Sequence, residues 1–154
     1  MALPAGYLVA PGLRAGAYPE TIEAVAALER EGVTLFVDLT HPSDPLPDYG
    51  QWLDRAERLG HPISDMGTPT AGHMMRILDD LDAARADGGQ VYVHCWGGVG
   101  RTGTVVGCWL KRHDLAEGDP IERIADLRRE IAGDRPSPET PEQVELVRGW
   151  RRDW

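Results

Sequence analysis

Apolar and polar positions alternate in short, punctuated blocks along the chain. Tyr7-Leu8-Val9-Ala10 ahead of Pro11-Gly12 predicts an edge strand, and Ala15 to Tyr18, stopped by Pro19, a second short one. Thr21 is placed to cap a helix whose apolar positions include Ile22, Val25, Ala26 and Leu28, with Gly32 as its stop. Val33 to Leu39 is a continuous β-branched and apolar run, as in a strand buried on both faces. His41 to Pro47, with three prolines, reads as loop. A helix is predicted over Asp48 to Leu59, ended by Gly60, and a brief strand over Pro62 to Ser64. After the Gly/Pro-bounded stretch 65–69, Met74, Ile77, Leu78 and Leu81 recur at helical spacing within Thr70 to Asp87. Val91 to His94 is the second core strand. Three more helices are predicted: Thr102 to His113, apolar nearly all round and therefore buried; Pro120 to Ile131; and Thr140 or Pro141 to Trp150, after the rigid segment 135–138. Strands alternating with helices imply an α/β fold, a mostly parallel central sheet flanked by helices. No repeat, linker or low-complexity segment divides the 154 residues, so a single domain over 1–154 is expected.

Composition narrows the options. An apolar content of 42% argues against disorder. A net charge of −9 disfavours long-range attraction to nucleic acid or anionic membranes, so any anion site must be local. Two cysteines are too few for a disulfide scaffold. Met1 to Gly16 has no basic start and is interrupted by Pro4 and Pro11, unlike a signal peptide. No window approaches a membrane span. A cytoplasmic monomer is expected, with neither nucleic acid nor membrane as a partner.

The chemistry concentrates at His94-Cys95-Trp96-Gly97-Gly98-Val99-Gly100-Arg101-Thr102-Gly103, between a predicted buried strand and a predicted buried helix. Open α/β sheets hold their ligands at that position. The glycines let backbone N–H groups turn inward around an anion, and the helix adds its positive end. Arg101 offers a planar, permanently charged fork for two phosphate oxygens. An ordinary thiol has a pKa of about 8.5, and cradles of this kind lower it to about 3.5–7.5. Cys95 is therefore the candidate nucleophile, and the Thr102 hydroxyl the candidate donor to its sulfur. A nucleotide-binding P-loop is excluded, because it needs a lysine that this loop lacks.

With His-Cys, five residues, Arg, Ser/Thr in place, the segment resembles the signature of the protein tyrosine and dual-specificity phosphatases. His94, Cys95, Arg101, Thr102 and Gly103 match it in full. The resemblance implies a dual-specificity-phosphatase-like fold and a two-step hydrolysis through a phosphocysteine, without cofactor or metal. It implies a phosphate-binding loop over Trp96, Gly97, Gly98, Val99, Gly100 and Arg101, and a structural His94 that tunes the thiolate. The family's general acid comes from a loop about 30 residues before the cysteine. Asp65 stands there, and its Gly-Thr-Pro tail resembles small kinase-associated phosphatases. Asp38 is the alternative acid; Asp44 and Asp48 are weaker ones. Ser137 to Gln143 resembles the distal segment in which a glutamine orients the hydrolytic water, which makes Gln143 a candidate.

The remaining chemistry-bearing residues have plainer readings. Cys108 reads as a core residue, with a redox partnership to Cys95 as the alternative. His41, His61, His73 and His113 show no metal-ligand spacing. The uncharged loop and acidic surface favour a singly phosphorylated substrate such as phosphotyrosine in a protein, with phosphoserine or phosphothreonine also open. The alternatives are a small phosphomonoester substrate and a phosphoprotein-binding module without turnover. A rhodanese-like sulfurtransferase leaves Asp65 and the Arg-Thr-Gly ending unexplained. Low-molecular-weight phosphatases and arsenate reductases place the cysteine near the N-terminus.

Overall fold

The computed structural model describes residues 6–131 and 135–154. The expectation of no signal peptide draws partly on residues 1–5, outside that range. Five strands and five α-helices follow one another as β1 (Gly6–Ala10), β2 (Leu13–Gly16), α1 (Ile22–Arg30), β3 (Leu35–Asp38), β4 (Glu57–Gly60), α2 (Ala71–Ala86), β5 (Val91–His94), α3 (Gly100–Arg112), α4 (Pro120–Leu127) and α5 (Pro141–Gly149). The sheet order is β1-β2-β5-β3-β4. Only the β1–β2 hairpin pairs antiparallel; β2–β5, β5–β3 and β3–β4 are parallel.

Register positions the site. Gly16, His94, Asp38 and Gly60 stand abreast at the C-terminal ends of the four parallel strands. The chain segments leaving those ends therefore converge on one edge of the sheet, where such folds place ligands. One face of the sheet is covered by Met74, Ile77, Leu78 and Leu81 of α2, the buried α3, and Ile124 and Val147 from α4 and α5. The other packs Phe36 and Tyr92 against Val25 and Leu28 of α1 and against Tyr49. Helix α3 is buried from Gly100 to Leu110, as its apolar circumference predicts. Thr21, Thr70, Asp119 and Thr140 each accept a backbone N–H as N-caps.

Two predicted elements are corrected. The helix expected over Asp48–Leu59 is a single 3₁₀ turn at Tyr49–Trp52, followed by β4. Residues 54–56 are drawn out because the Glu29 carboxylate accepts the amides of Asp54, Arg55 and Ala56, and β3 offers the next four residues a ladder. Local helical pattern lost to sheet pairing. The strand expected at Pro62–Ser64 is extended backbone beyond β4, with single bonds from His61 N to Asp38 O and from Ile63 N to Leu39 O. No helix among the described residues is long and apolar enough to cross a membrane.

Candidate active site

Every predicted residue of the phosphate loop lies at or beside the end of β5, and neighbouring backbone holds the loop in shape. Trp96 O accepts the Tyr18 amide at 2.9 Å, and Val99 O accepts the Ser137 hydroxyl at 2.6 Å. Gly98 adopts φ +75° and presses on β2 so closely that a Cβ would stand 2.5 Å from the carbonyl carbon of Gly16. Only glycine meets both conditions. At Gly103 a Cβ would collide with the Ser137 hydroxyl. Val99 is the N-cap of α3 and makes no side-chain cap bond. The N-cap therefore offers no side-chain acceptor to the first-turn amides of α3, and a helix N-terminus is a favourable place for an anion.

Cys95 and Arg101 share a cleft of about 290 Å³, lined also by Asp65, Met66, Trp96 and Arg135. Larger hollows occur elsewhere, such as one of about 710 Å³ beside α1, but its lining includes no cysteine. Cys95 is 3% exposed. Arg101 is buried and directed by three oxygens: Nη1 donates to Asp44 Oδ2 at 2.7 Å and Ile63 O at 2.9 Å, and Nη2 stands 3.3 Å from Asp65 Oδ1. The guanidinium thus ties the loop carrying Asp65 to the loop carrying Cys95. Asp65 itself projects outward, its side chain 54% exposed.

The supporting residues are partnered with one exception. His94 is fully buried; its Nε2 pairs with the Tyr49 hydroxyl at 2.8 Å and its Nδ1 with Cys95 O at 3.1 Å. Burial pushes its pKa below the usual histidine value, so the ring is neutral. The Thr102 hydroxyl is buried and has no partner among the described residues. Gln143 is fully buried: its Oε1 accepts the amides of Glu139 and Thr140, and its Nε2 donates to Gly67 O at 3.0 Å. Its side chain is thus engaged in a capping box and in a tie to the Asp65 loop.

The other sequence candidates fall outside the cleft. Asp38 accepts the Thr40 amide and hydroxyl and lines a different cavity. Asp48 caps the 3₁₀ turn and pairs with Arg58 at 2.8 Å. Cys108 lies in the core, where burial pushes its thiol far up. His61 pairs with His73 and Asp80, and His113 with Asp82. Asp44, a weaker candidate for the acid, is the buried partner of Arg101, its side chain 5% exposed. Although burial raises its pKa, the His41 amide and the Arg101 guanidinium hold it below the ordinary carboxylate value. Of the props of His94 and Val99, Tyr49 carried no signal in the sequence, and Ser137 was named only as the start of the distal segment. Met66, Arg135 and Glu139, which line the cleft, were likewise not singled out.

Comparison with known proteins identifies relatives of the chain and of its fold. Residues 6–152 match the family model described as Swiss Army Knife protein, DSP-PTPase phosphatase domain. A putative tyrosine phosphatase of Invertebrate iridescent virus 3 is 34% identical over 113 residues, 69% of this chain and 45% of that protein. Cyclin-dependent kinase inhibitor 3 of Rattus norvegicus is 32% identical over 73 residues, 47% of this chain and 34% of the rat protein. The chain thus spans less than half the length of either relative. The crystal structure of Tk-PTP in its active form superimposes with a TM-score of 0.80 at 24% identity, over 97% of each chain, a likeness of fold.

Proposed function

The chain belongs to the DSP-PTPase phosphatase family, and from that premise we propose that it hydrolyses phosphomonoesters through a phosphocysteine at Cys95, with phosphotyrosine in proteins as the preferred substrate. The observation that carries the reading is the shared cleft in which Cys95, Arg101 and Asp65 meet, with Arg101 held by Asp44 beneath and Asp65 in front.

In the first step the Cys95 thiolate attacks phosphorus. The S–P bond forms, the P–O ester bond breaks, and Asp65 gives its proton to the leaving oxygen. Arg101 and the amides at the start of α3 take the equatorial phosphoryl oxygens, where charge is greatest in the transition state. In the second step water attacks phosphorus and gives a proton to the Asp65 carboxylate. The S–P bond breaks, its electron pair returns to sulfur, and the unpartnered Thr102 hydroxyl donates to the departing thiolate. Met66 and Trp96, 51% and 39% exposed, put a thioether and an indole on the cleft wall. Those groups suit an aryl ring better than an alkyl chain, which favours phosphotyrosine.

Turnover of p-nitrophenyl phosphate in the presence of a chelator, its block by vanadate and its loss in Cys95→Ser are the expected results. Activity that survives in Cys95→Ser removes the phosphocysteine from the mechanism. A wild type that binds phosphotyrosine peptides without turning over any phosphomonoester makes the domain a phosphoprotein reader instead. Faster turnover of phosphoserine than of phosphotyrosine peptides overturns the substrate preference.

A further inference from the structure

The Asp65 loop is held by ties of different chemistry, and one of them can change its charge near neutrality. Arg101 holds Ile63 O and Asp65, and Gln143 holds Gly67 O. A guanidinium and a carboxamide keep one protonation state between about pH 5 and about pH 8. A further tie closes the base of the loop. His61, just after β4, and His73, in the first turn of α2, meet there, with Nδ1 of His61 3.1 Å from Nε2 of His73. Histidine is the side chain whose charge changes in that range. Farther along α2, Asp80 Oδ2 lies 2.7 Å from Nε2 of His61. Among the described residues, the charged groups that bear on the pair are Asp80 and Arg76, both on α2. Strand β3 meets His61 through backbone, the His61 amide donating to Asp38 O at 2.8 Å.

A carboxylate only accepts, so Nε2 of His61 carries a hydrogen. The contact between the two rings then needs one hydrogen and one lone pair. With both rings neutral, His73 donates and His61 accepts. One added proton is tolerated, because whichever ring takes it, the other can present a lone pair. A second added proton is not. Two N–H groups then face each other across 3.1 Å, and two cations stand side by side. Burial and the charges of His61 and Arg76 hold the His73 pKa below the usual histidine value, and the positive end of α2 acts in the same sense. We propose that the His61–His73 contact is an acid-released clasp at the base of the Asp65 loop: it holds the loop until both rings are charged, then frees it and withdraws Asp65 from its station beside Arg101. The consequence for Asp65 rests on the phosphatase reading; the clasp itself does not.

The test is hydrogen exchange of the backbone amides of residues 61–73 in the full chain, followed by mass spectrometry and corrected for the intrinsic rate at each pH. In the wild type, protection there should fall about tenfold as pH drops below about 6.5, from the lost hydrogen bond and the onset of repulsion. In His73→Gln, whose carboxamide donates to Nδ1 of His61 but takes no proton, protection should stay level. In Asp80→Asn, at a half-exposed position, the fall should move to lower pH, because the carboxylate that favours the doubly charged pair is gone. Level protection in the wild type overturns the clasp, as does a fall of the same size and midpoint in His73→Gln. A fall spread evenly over β5 and α3 in both proteins also overturns it, by assigning the effect to His94. Over the same pH drop, p-nitrophenyl phosphate turnover should lose more of its rate in the wild type than in His73→Gln, and equal losses overturn the effect on Asp65. A wild type without turnover at any pH sinks the catalytic reading and leaves the exchange data to decide the clasp.

Discussion

The two loops that form the cleft are built on opposite principles. The loop from Cys95 to Arg101 is embedded in the core. Its first and last residues are nearly inaccessible, and β2, Tyr18 and Ser137 grip its backbone between them. The Asp65 loop is laid over the surface. Arg101 holds it at Ile63 O and Asp65, Gln143 holds it at Gly67 O, and Met66 within it takes φ +65°. The group that must bind a charge in a fixed geometry is placed where packing fixes it. Asp65, the acid and base of the proposed reaction, is placed where solvent reaches it. The difference teaches that the proposed reaction divides anion binding and proton transfer between two structural layers, joined through Arg101.

This contrast can be broken at several points. The largest effect is expected from Gly98→Ala. A side chain there meets both an unfavourable φ and the Gly16 backbone, at a cost of about 3 kcal/mol or more, with loss of vanadate binding. A variant of wild-type stability that still binds vanadate would show the loop to be less tightly gripped than described. Next in size is Asp65→Asn, in which turnover should fall about 10²- to 10⁴-fold. Vanadate affinity should hold, because the contact with Arg101 is long and half exposed. Rates that do not change, or a matching loss of vanadate binding, would erase the division between the layers.

The smallest effect concerns pH and the root of the buried loop. The pKa of His94 is lower in the folded protein than in the unfolded chain, so the unfolded state takes up the proton more readily. The stabilisation from burying a neutral ring is fully present above the unfolded value of about 6.5 and is lost as pH falls below it toward the folded value. Denaturation midpoints measured on either side of that value should therefore drop more in the wild type than in His94→Gln. Parallel losses in the two proteins would mean that His94 does not couple the loop to pH. Glu29 adds a second acid-sensitive contribution away from the cleft. Burial raises its pKa, but the Ala56, Arg55 and Asp54 amides outweigh that and hold it low, so its share is lost only as pH falls through the carboxylate range.

Much of the fold was legible from pattern alone. The run Val33–Leu39 contains the strand Leu35–Asp38 and Val91–His94 is a strand throughout, both inside the sheet, and the all-round apolar 102–113 segment falls largely within the buried helix Gly100–Arg112. The segment 48–59 was misread because nothing local announces that Glu29 will cap three amides there or that β3 will need a partner. In the site, the Cys95 and Arg101 loop stood out by its glycines and its place between strand and helix, and Asp65 was named through the resemblance to the phosphatase family. Asp44 was named only as a weaker acid, Ser137 only as the start of the distal segment and Tyr49 not at all, because each acts through a partner at least 38 positions away.

The sequence by itself determined which chemistry is on offer: a thiol, a guanidinium and glycines at fixed intervals, on a segment whose periodicity changes from strand to helix. Only the tertiary structure decided how those groups are aimed. It did so by register, which brings Gly16, Asp38, Gly60 and His94 abreast, and by burial, which leaves the Arg101 guanidinium facing two carboxylates and a carbonyl. Side-chain type is a local property, whereas direction and desolvation are set by atoms that are distant in the chain.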